Sequence, residues 1–239
     1  ALLERFTEVF ALGYRRHLEL AAAEERARQA ELERAVERVR GAVEAMQTSE
    51  ELHELANVLE DSLRELDMPM QGLTININDE ATRSTQAYSS WFRYASLGVF
   101  TEKEIPELRW YLDRWRAGGV EQLKWDAEMN HKAFDPILAT PDLDEQVRRQ
   151  IEEIVPHDRW VADAFFDHGA VAISRPAPDP YSDDQLALLA RLTDVFATGY
   201  RRHLELAAAE ERARQAEIER SLERVRGAVE AMQTSDDLP

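Results

Sequence analysis

Histidine, cysteine, acidic and hydroxyl side chains are where chemistry would have to start, and their spacing in this chain offers little of it. None of the 239 residues is cysteine, which excludes disulfides, thiolate metal sites, cysteine nucleophiles and thioether-linked groups. Of the six histidines, His17 and His203 occupy equivalent places in two copies of Tyr-Arg-Arg-His on a helix surface. His131, His157 and His168 stand singly near acids, with no two at the spacing of a ligand pair, so no metal is expected. His157-Asp158 is a bare dipeptide without partner histidines. No Ser or Thr is placed beside a matched base, and no acid pair sits in a glycine-rich or aromatic cleft motif, so the chain reads as non-catalytic. What remains is aromatic. All five tryptophans (Trp91, Trp110, Trp115, Trp125 and Trp160) fall in the middle of the chain with Tyr88, Phe92, Tyr94, Phe134, Phe165 and Phe166. Such a group is either the core of a small domain or the wall of a ligand pocket.

The ends of the chain position that middle. Residues 1–52 match 187–238 at 43 of 52 positions without a gap, and Gly13–Glu31 recurs unchanged as Gly199–Glu217. A separation of 186 residues is far longer than a solenoid repeat and fits one whole domain plus a connecting helix. The sequence therefore reads as one repeat unit followed by the opening helix of another, taken from a tandem array. Tyr181-Ser182-Asp183-Asp184 caps the second copy, and no proline interrupts from about Asp183 to Met232. A helix of that length spans about 75 Å, more than a small domain buries. Leu32, Val36, Val39, Val43 and Met46 step by 4, 3, 4 and 3, the seam of a coiled coil. With Leu18 and the counterparts Leu204, Ile218, Leu222, Val225, Val229 and Met232, they are the residues expected to pair two chains as a parallel homodimer. Between this seam and an upstream stripe of Phe6, Phe10, Tyr14 and Leu18, Glu25 and Gln29 fall inside the heptad frame, which marks a phase change.

Charge separates the two parts as well. Arg15–Met46 holds seven Arg and seven Glu, as does Arg201–Met232, whereas residues 47–186 carry 28 acids against 13 bases. An acidic body argues against nucleic acid or an anionic membrane surface as partner. No apolar run reaches the length of a membrane span, and no signal peptide is visible.

Within the middle, Leu52, Leu55, Leu59, Leu63 and Leu66 share one helix face, with Ser49 as a possible cap. Residues 72–78 alternate as a strand with Leu73, Ile75 and Ile77 inward, and 87–95 reads as a second strand. Residues 104–116 and 143–155 look helical. Trp160–Phe166 and Ala170–Ser174 form a hairpin across Asp167-His168-Gly169. The result is an α+β fold: an antiparallel sheet with packed helices, flanked by long coiled-coil helices. The divisions are 1–48 for the first stalk helix, 49–186 for the domain and 187–239 for the second stalk helix.

A domain that opens on a helix, ends on a hairpin and runs through Tyr181-Ser182-Asp183-Asp184-Gln185 into a final helix resembles a GAF domain. LLARLTDVFATGYRRHLEL, followed by ERARQAEIERSLERVRGAVEAMQTSDDL, resembles the sensor modules of bacterial multidomain signalling proteins. That resemblance implies a cytoplasmic, non-catalytic sensory or relay unit, joined in cis to neighbouring repeats and to an output domain such as a histidine kinase or cyclase. It implies a ligand between the sheet and residues 96–140, within reach of Trp91, Arg93, Trp125 and His131. The Asn-Lys-Phe-Asp/Glu pattern of cyclic-nucleotide-binding members is absent and no Cys is present for a bilin, so neither is expected and no cofactor is assigned. The alternatives are a structural spacer without ligand and a histidine kinase dimerisation helix around His53-Glu54. The second would need glycine-rich nucleotide boxes that residues 72–180 lack.

Overall fold

The computed structural model describes residues 2–48, 51–90, 96–106, 108–140 and 143–236. Helix α1 spans Leu2–Ala45 and α2 Leu52–Glu65; strands β1 (Gly72–Asp79), β2 (Ser84–Ser89) and β3 (Ser96–Thr101) follow. Helix α3 (Leu108–Ala117), strand β4 (Val120–Trp125), α4 (Ala127–Leu138) and α5 (Glu145–Ile154) lead to the hairpin β5 (Arg159–Phe166) and β6 (Gly169–Pro176). The last element, α6, runs from Asp183 to Asp236. The six strands form one antiparallel sheet in the order β3-β2-β1-β6-β5-β4. This is the α+β architecture with an antiparallel sheet and long flanking helices that the sequence indicates.

Strand alternation gives the sheet two different faces. Leu73 and Ile75 of β1, Ala162 and Ala164 of β5, and Val171 and Ile173 of β6 pack under α2 and parts of α1 and α6. Thr74 and Asn76 of β1, Thr85, Ala87 and Ser89 of β2, and Val161 and Asp163 of β5 face the other way, toward α3 and α4. The first face is a dry core; the second bounds a cavity. A smaller core of Ile137, Val147, Ile151 and Val155 fixes α5 against α4. Gly118 (φ 71°) and Gly119 (φ 90°) turn the end of α3 straight into β4, a reversal that L residues with a Cβ adopt at a cost. At the β5–β6 turn, a Cβ on Gly169 would lie 1.8 Å from the carbonyl oxygen of Asn76, so only glycine lets β6 close on β1.

Three differences from the sequence reading have physical causes. Strands β3 and β4 and helix α4 fall in 96–140, where no periodic pattern announced them. β3 and β4 lie at the two sheet edges, and along β4 burial is intermediate with no alternation; Pro136 sits inside α4. The second strand is Ser84–Ser89 rather than 87–95, and 91–95 lies outside the described residues. Third, the domain does not stop at 49 and 186. Ala35, Val39, Val43 and Met46 of α1 and Leu189, Leu192, Phe196 and Tyr200 of α6 are part of its core.

That last point corrects the seam. Val39, Val43 and Met46 are buried in this chain's own core, with α1 packed on α2 and α6, so they do not present a stripe to a partner helix. Leu32, Val36 and Leu204 are half-buried, while Leu18, Ile218, Leu222 and Val225 are exposed. Val229 and Met232 lie on α6 outside the residues whose side chains are described. No described helix is long and apolar enough to cross a membrane.

Candidate functional site

Helices α3 and α4 bridge over the polar face of the sheet and leave a cavity of about 210 Å³ beneath them. Its walls are mostly apolar: Leu108, Trp110, Tyr111, Met129, Phe134 and Ile137 of the helices close it from above, and Phe100 and Trp125 line it from the two edge strands. Helix α4 reaches this position because Asp126 caps it, accepting a hydrogen bond from the Met129 N–H at 2.9 Å. From there Met129, Ala133, Phe134 and Ile137 recur at helical spacing on the cavity side.

The polar groups are few and buried. On α3, Arg114 ion-pairs with Glu121, lies 4.0 Å from Asp163 and stacks its guanidinium 4.6 Å from the Trp110 ring. Its Nη2 has no hydrogen-bond partner among the described residues. Asp163 is fully enclosed, and burial pushes its carboxyl up to about 6 against the pull of Arg114. Arg159, at the far end of β5, lies between the rings of Trp125 (5.0 Å) and Phe134 (4.8 Å) and donates from Nε to Asn130 at 2.9 Å. Burial brings its guanidinium down to about 10. Asn130 is itself buried and donates on to the His157 carbonyl at 2.8 Å. Burial also pushes the Tyr111 hydroxyl, which faces Asn76 and Asn78, well above its usual range. The Asn78 amide, the Thr85 hydroxyl and the Trp125 indole N–H are buried with no hydrogen bond formed among the described residues.

Buried polar atoms left unpaired cost about 1–3 kcal/mol each, and here five side chains carrying such atoms (Asn78, Thr85, Tyr111, Arg114 and Trp125) gather in or beside one cavity. Arg114 and Arg159 stand against the carboxyls of Asp163 and Glu121, and the unpaired Nη2 of Arg114 is the cationic donor left to meet a ligand. The arrangement has what a binding site needs, apolar walls with a few convergent polar groups. Among the described residues it has no nucleophile–base pair, and no cluster of them could hold a metal ion.

Of the four residues the sequence nominated, Trp125 lines this cavity. His131 does not: it lies on the solvent side of α4, 57% exposed and bonded to Asp135 one turn on at 3.1 Å. Trp91 and Arg93 are outside the described residues. Sequence reasoning missed Arg114, Asp163 and Arg159. The available signal was a charge inside an otherwise apolar strand, Arg-Trp-Val-Ala-Asp-Ala-Phe-Phe, where an unpaired Asp has no reason to sit. Trp115 and Trp160 are structural ties, donating their indole N–H groups to the carbonyls of Phe166 (2.8 Å) and Pro178 (3.0 Å).

No family model and no curated protein matches this chain. Solved structures do. The GAF domain of a GAF/HD domain protein from Geobacter sulfurreducens aligns at 17% identity and TM-score 0.40, covering 64% of this chain and 94% of that one. The phycoerythrobilin-bound GAF domain of a cyanobacterial phytochrome aligns at 17% and 0.42, covering 74% and 97%. A phycocyanobilin-bound counterpart aligns at 19% and 0.42, covering 74% and 96%. At these identities the likeness concerns shape alone.

Proposed function

We propose that the chain is a non-catalytic sensory and relay module of GAF-like type, which takes a small molecule into the cavity and passes the change to α6. One strand carries this reading. On one side of β5, Val161 and Asp163 line the cavity; on the other, Ala162 and Ala164 sit in the core against α6, and Phe166 meets Phe196 edge-on at 5.4 Å. Filling the cavity shifts the balance between two positions of β5, and α6 follows because close-packed cores transmit displacement. α6 then delivers the change along its length to an output domain in cis, in a cytoplasmic protein.

Two chains pair in parallel through the long helices. Leu20 and its counterpart Leu206 stay exposed in both copies of the repeat, so a partner helix is free to cover them whatever else the helices touch. The spacer reading gives no reason for unpaired polar groups under an apolar roof.

The test uses the purified chain and 1-anilinonaphthalene-8-sulfonate, an apolar ring system with one anionic group. The wild type is expected to bind it with enhanced fluorescence, and Ala133→Trp, which places an indole in the cavity wall, to abolish that signal at unchanged circular dichroism. Native mass spectrometry checks the same sample for a co-purified small molecule and for a dimer. No dye binding and no added mass would leave the spacer reading standing.

A further inference from the structure

The repeated helix is used by halves, and each copy uses a different half. In α1 the second half is docked: Ala35, Val39, Val43 and Met46 are buried against α2 and α6, with Leu32 and Val36 at the margin. In α6 the matching positions whose side chains are described are open, Ile218 being 52%, Leu222 61% and Val225 62% exposed and Ser221 half-buried. The first half is reversed. Phe196 and Tyr200 of α6 are 0% and 3% exposed, while their counterparts Phe10 and Tyr14 of α1 are 67% and 56% exposed. Near-identical sequence in two environments is the signature of one helix built for two partners, each seen once in this structure.

We infer that the bare Ile218–Val225 face of α6 docks on the α2 and α6 surface of a second unit of this fold, seated there as Leu32–Met46 are seated here. One helix is then shared by two consecutive units, its first half in the core of one and its second half in the core of the next. The complement is already visible and closely shaped. Gly199 of α6 admits Val43 so tightly that a Cβ at Gly199 would lie 2.5 Å from Val43 Cγ1. Arg38 of α1 donates to Glu65 of α2 at 2.7 Å, and its counterpart Arg224, which among the described residues bonds to Ser221 of its own helix, is placed to do the same with Glu65 of the second unit. Within the docked set, the second copy changes only Leu32 to Ile218, Ala35 to Ser221 and Val36 to Leu222. Volume is nearly kept, and the serine hydroxyl can bond back to its own helix. This inference is independent of the cavity, and loss of dye binding leaves it intact.

The experiment extends the full chain, continuing from Leu238, the counterpart of Leu52, with a second copy of residues 53–236. Backbone hydrogen exchange is compared between the extended and original chains. In the extended chain, amides 214–226 are expected to exchange about tenfold or more slowly, as a helix moved from solvent into a core does. Glu65→Arg placed in the second unit alone should erase part of that protection and Arg224→Glu restore it. Equal exchange of 214–226 in the two chains would overturn the inference. So would a second unit whose sheet amides exchange freely, because α6 would then have failed to stand in for α1. Protection of 214–226 already present in the original chain, and rising with its concentration, would overturn it as well, showing the face covered by its own likeness in another copy.

Discussion

Gly13 and Gly199 share the sequence Gly-Tyr-Arg-Arg-His-Leu-Glu-Leu, yet replacing each by alanine should change stability in opposite directions. Both are helical, so alanine gains about 1 kcal/mol of intrinsic propensity at either place. A Cβ at Gly13 meets nothing within 4 Å. A Cβ at Gly199 meets Val43 Cγ1 at 2.5 Å and Val43 Cβ at 2.9 Å, and a valine so short and stiff cannot step aside without moving α1. Overpacking of this kind costs about 1–3 kcal/mol. The expected outcome is therefore a small gain, from zero to about 1 kcal/mol, for Gly13→Ala. For Gly199→Ala it is a net loss of up to about 2 kcal/mol, a gap of roughly 2 kcal/mol. At about 2–4 °C per kcal/mol for a chain of this size, thermal unfolding separates the two variants by several degrees. Val43→Ala combined with Gly199→Ala removes the Cγ1 contact and leaves the one to Cβ, so it should recover part of the steric loss and the two substitutions will be non-additive. Equal shifts of the same sign at Gly13 and Gly199, or strict additivity with Val43→Ala, would refute the placement of α1 against α6.

Phe196→Ala should cost about 3–5 kcal/mol in denaturant unfolding, since Phe196 is fully enclosed, while Phe10→Ala should stay within about 0.5 kcal/mol. Asn130→Ala strips Arg159 Nε and the His157 carbonyl of their partner and should cost about 1–3 kcal/mol, with Asn130→Asp, which keeps the acceptor, losing less. The Asp163 carboxyl is raised to about 6 in the folded chain, above its unfolded value near 3.8, so the folded state holds the proton more tightly. Its contribution to stability is favourable at low pH and is lost as pH rises from about 4 to about 6. Unfolding measured across that window should show Asp163→Asn gaining on the wild type by up to about 3 kcal/mol; a constant difference would contradict the raised value.

The helical ends and the β5–β6 hairpin were legible because their signals are local. An uninterrupted periodic run fixes α6, and Asp-His-Gly between two apolar runs fixes the turn. What was not legible is tertiary. The 4-3-4-3 spacing of Leu32 to Met46 shows that this face is covered but not by what, and here the cover is the same chain's α2 and α6 rather than a partner helix. The cavity was only half visible. Trp125 follows from the clustering of aromatics, but whether a residue of 127–138 faces the cavity depends on where Asp126 starts the helix, and that start turns His131 outward. Arg114 meets Asp163 only because Gly118-Gly119 folds α3 back over β5, a contact 49 residues apart with no trace in the local pattern.

The coupling of cavity to helix is tested most directly by hydrogen exchange of α6 residues 189–204, read with and without the anilinonaphthalene sulfonate bound. Occupancy is expected to change the exchange of this segment in the wild type and to leave it unchanged in Ala133→Trp. Dye bound in the cavity with no change along 189–204 would contradict the relay, since β5 would then carry nothing from one face of the sheet to the other.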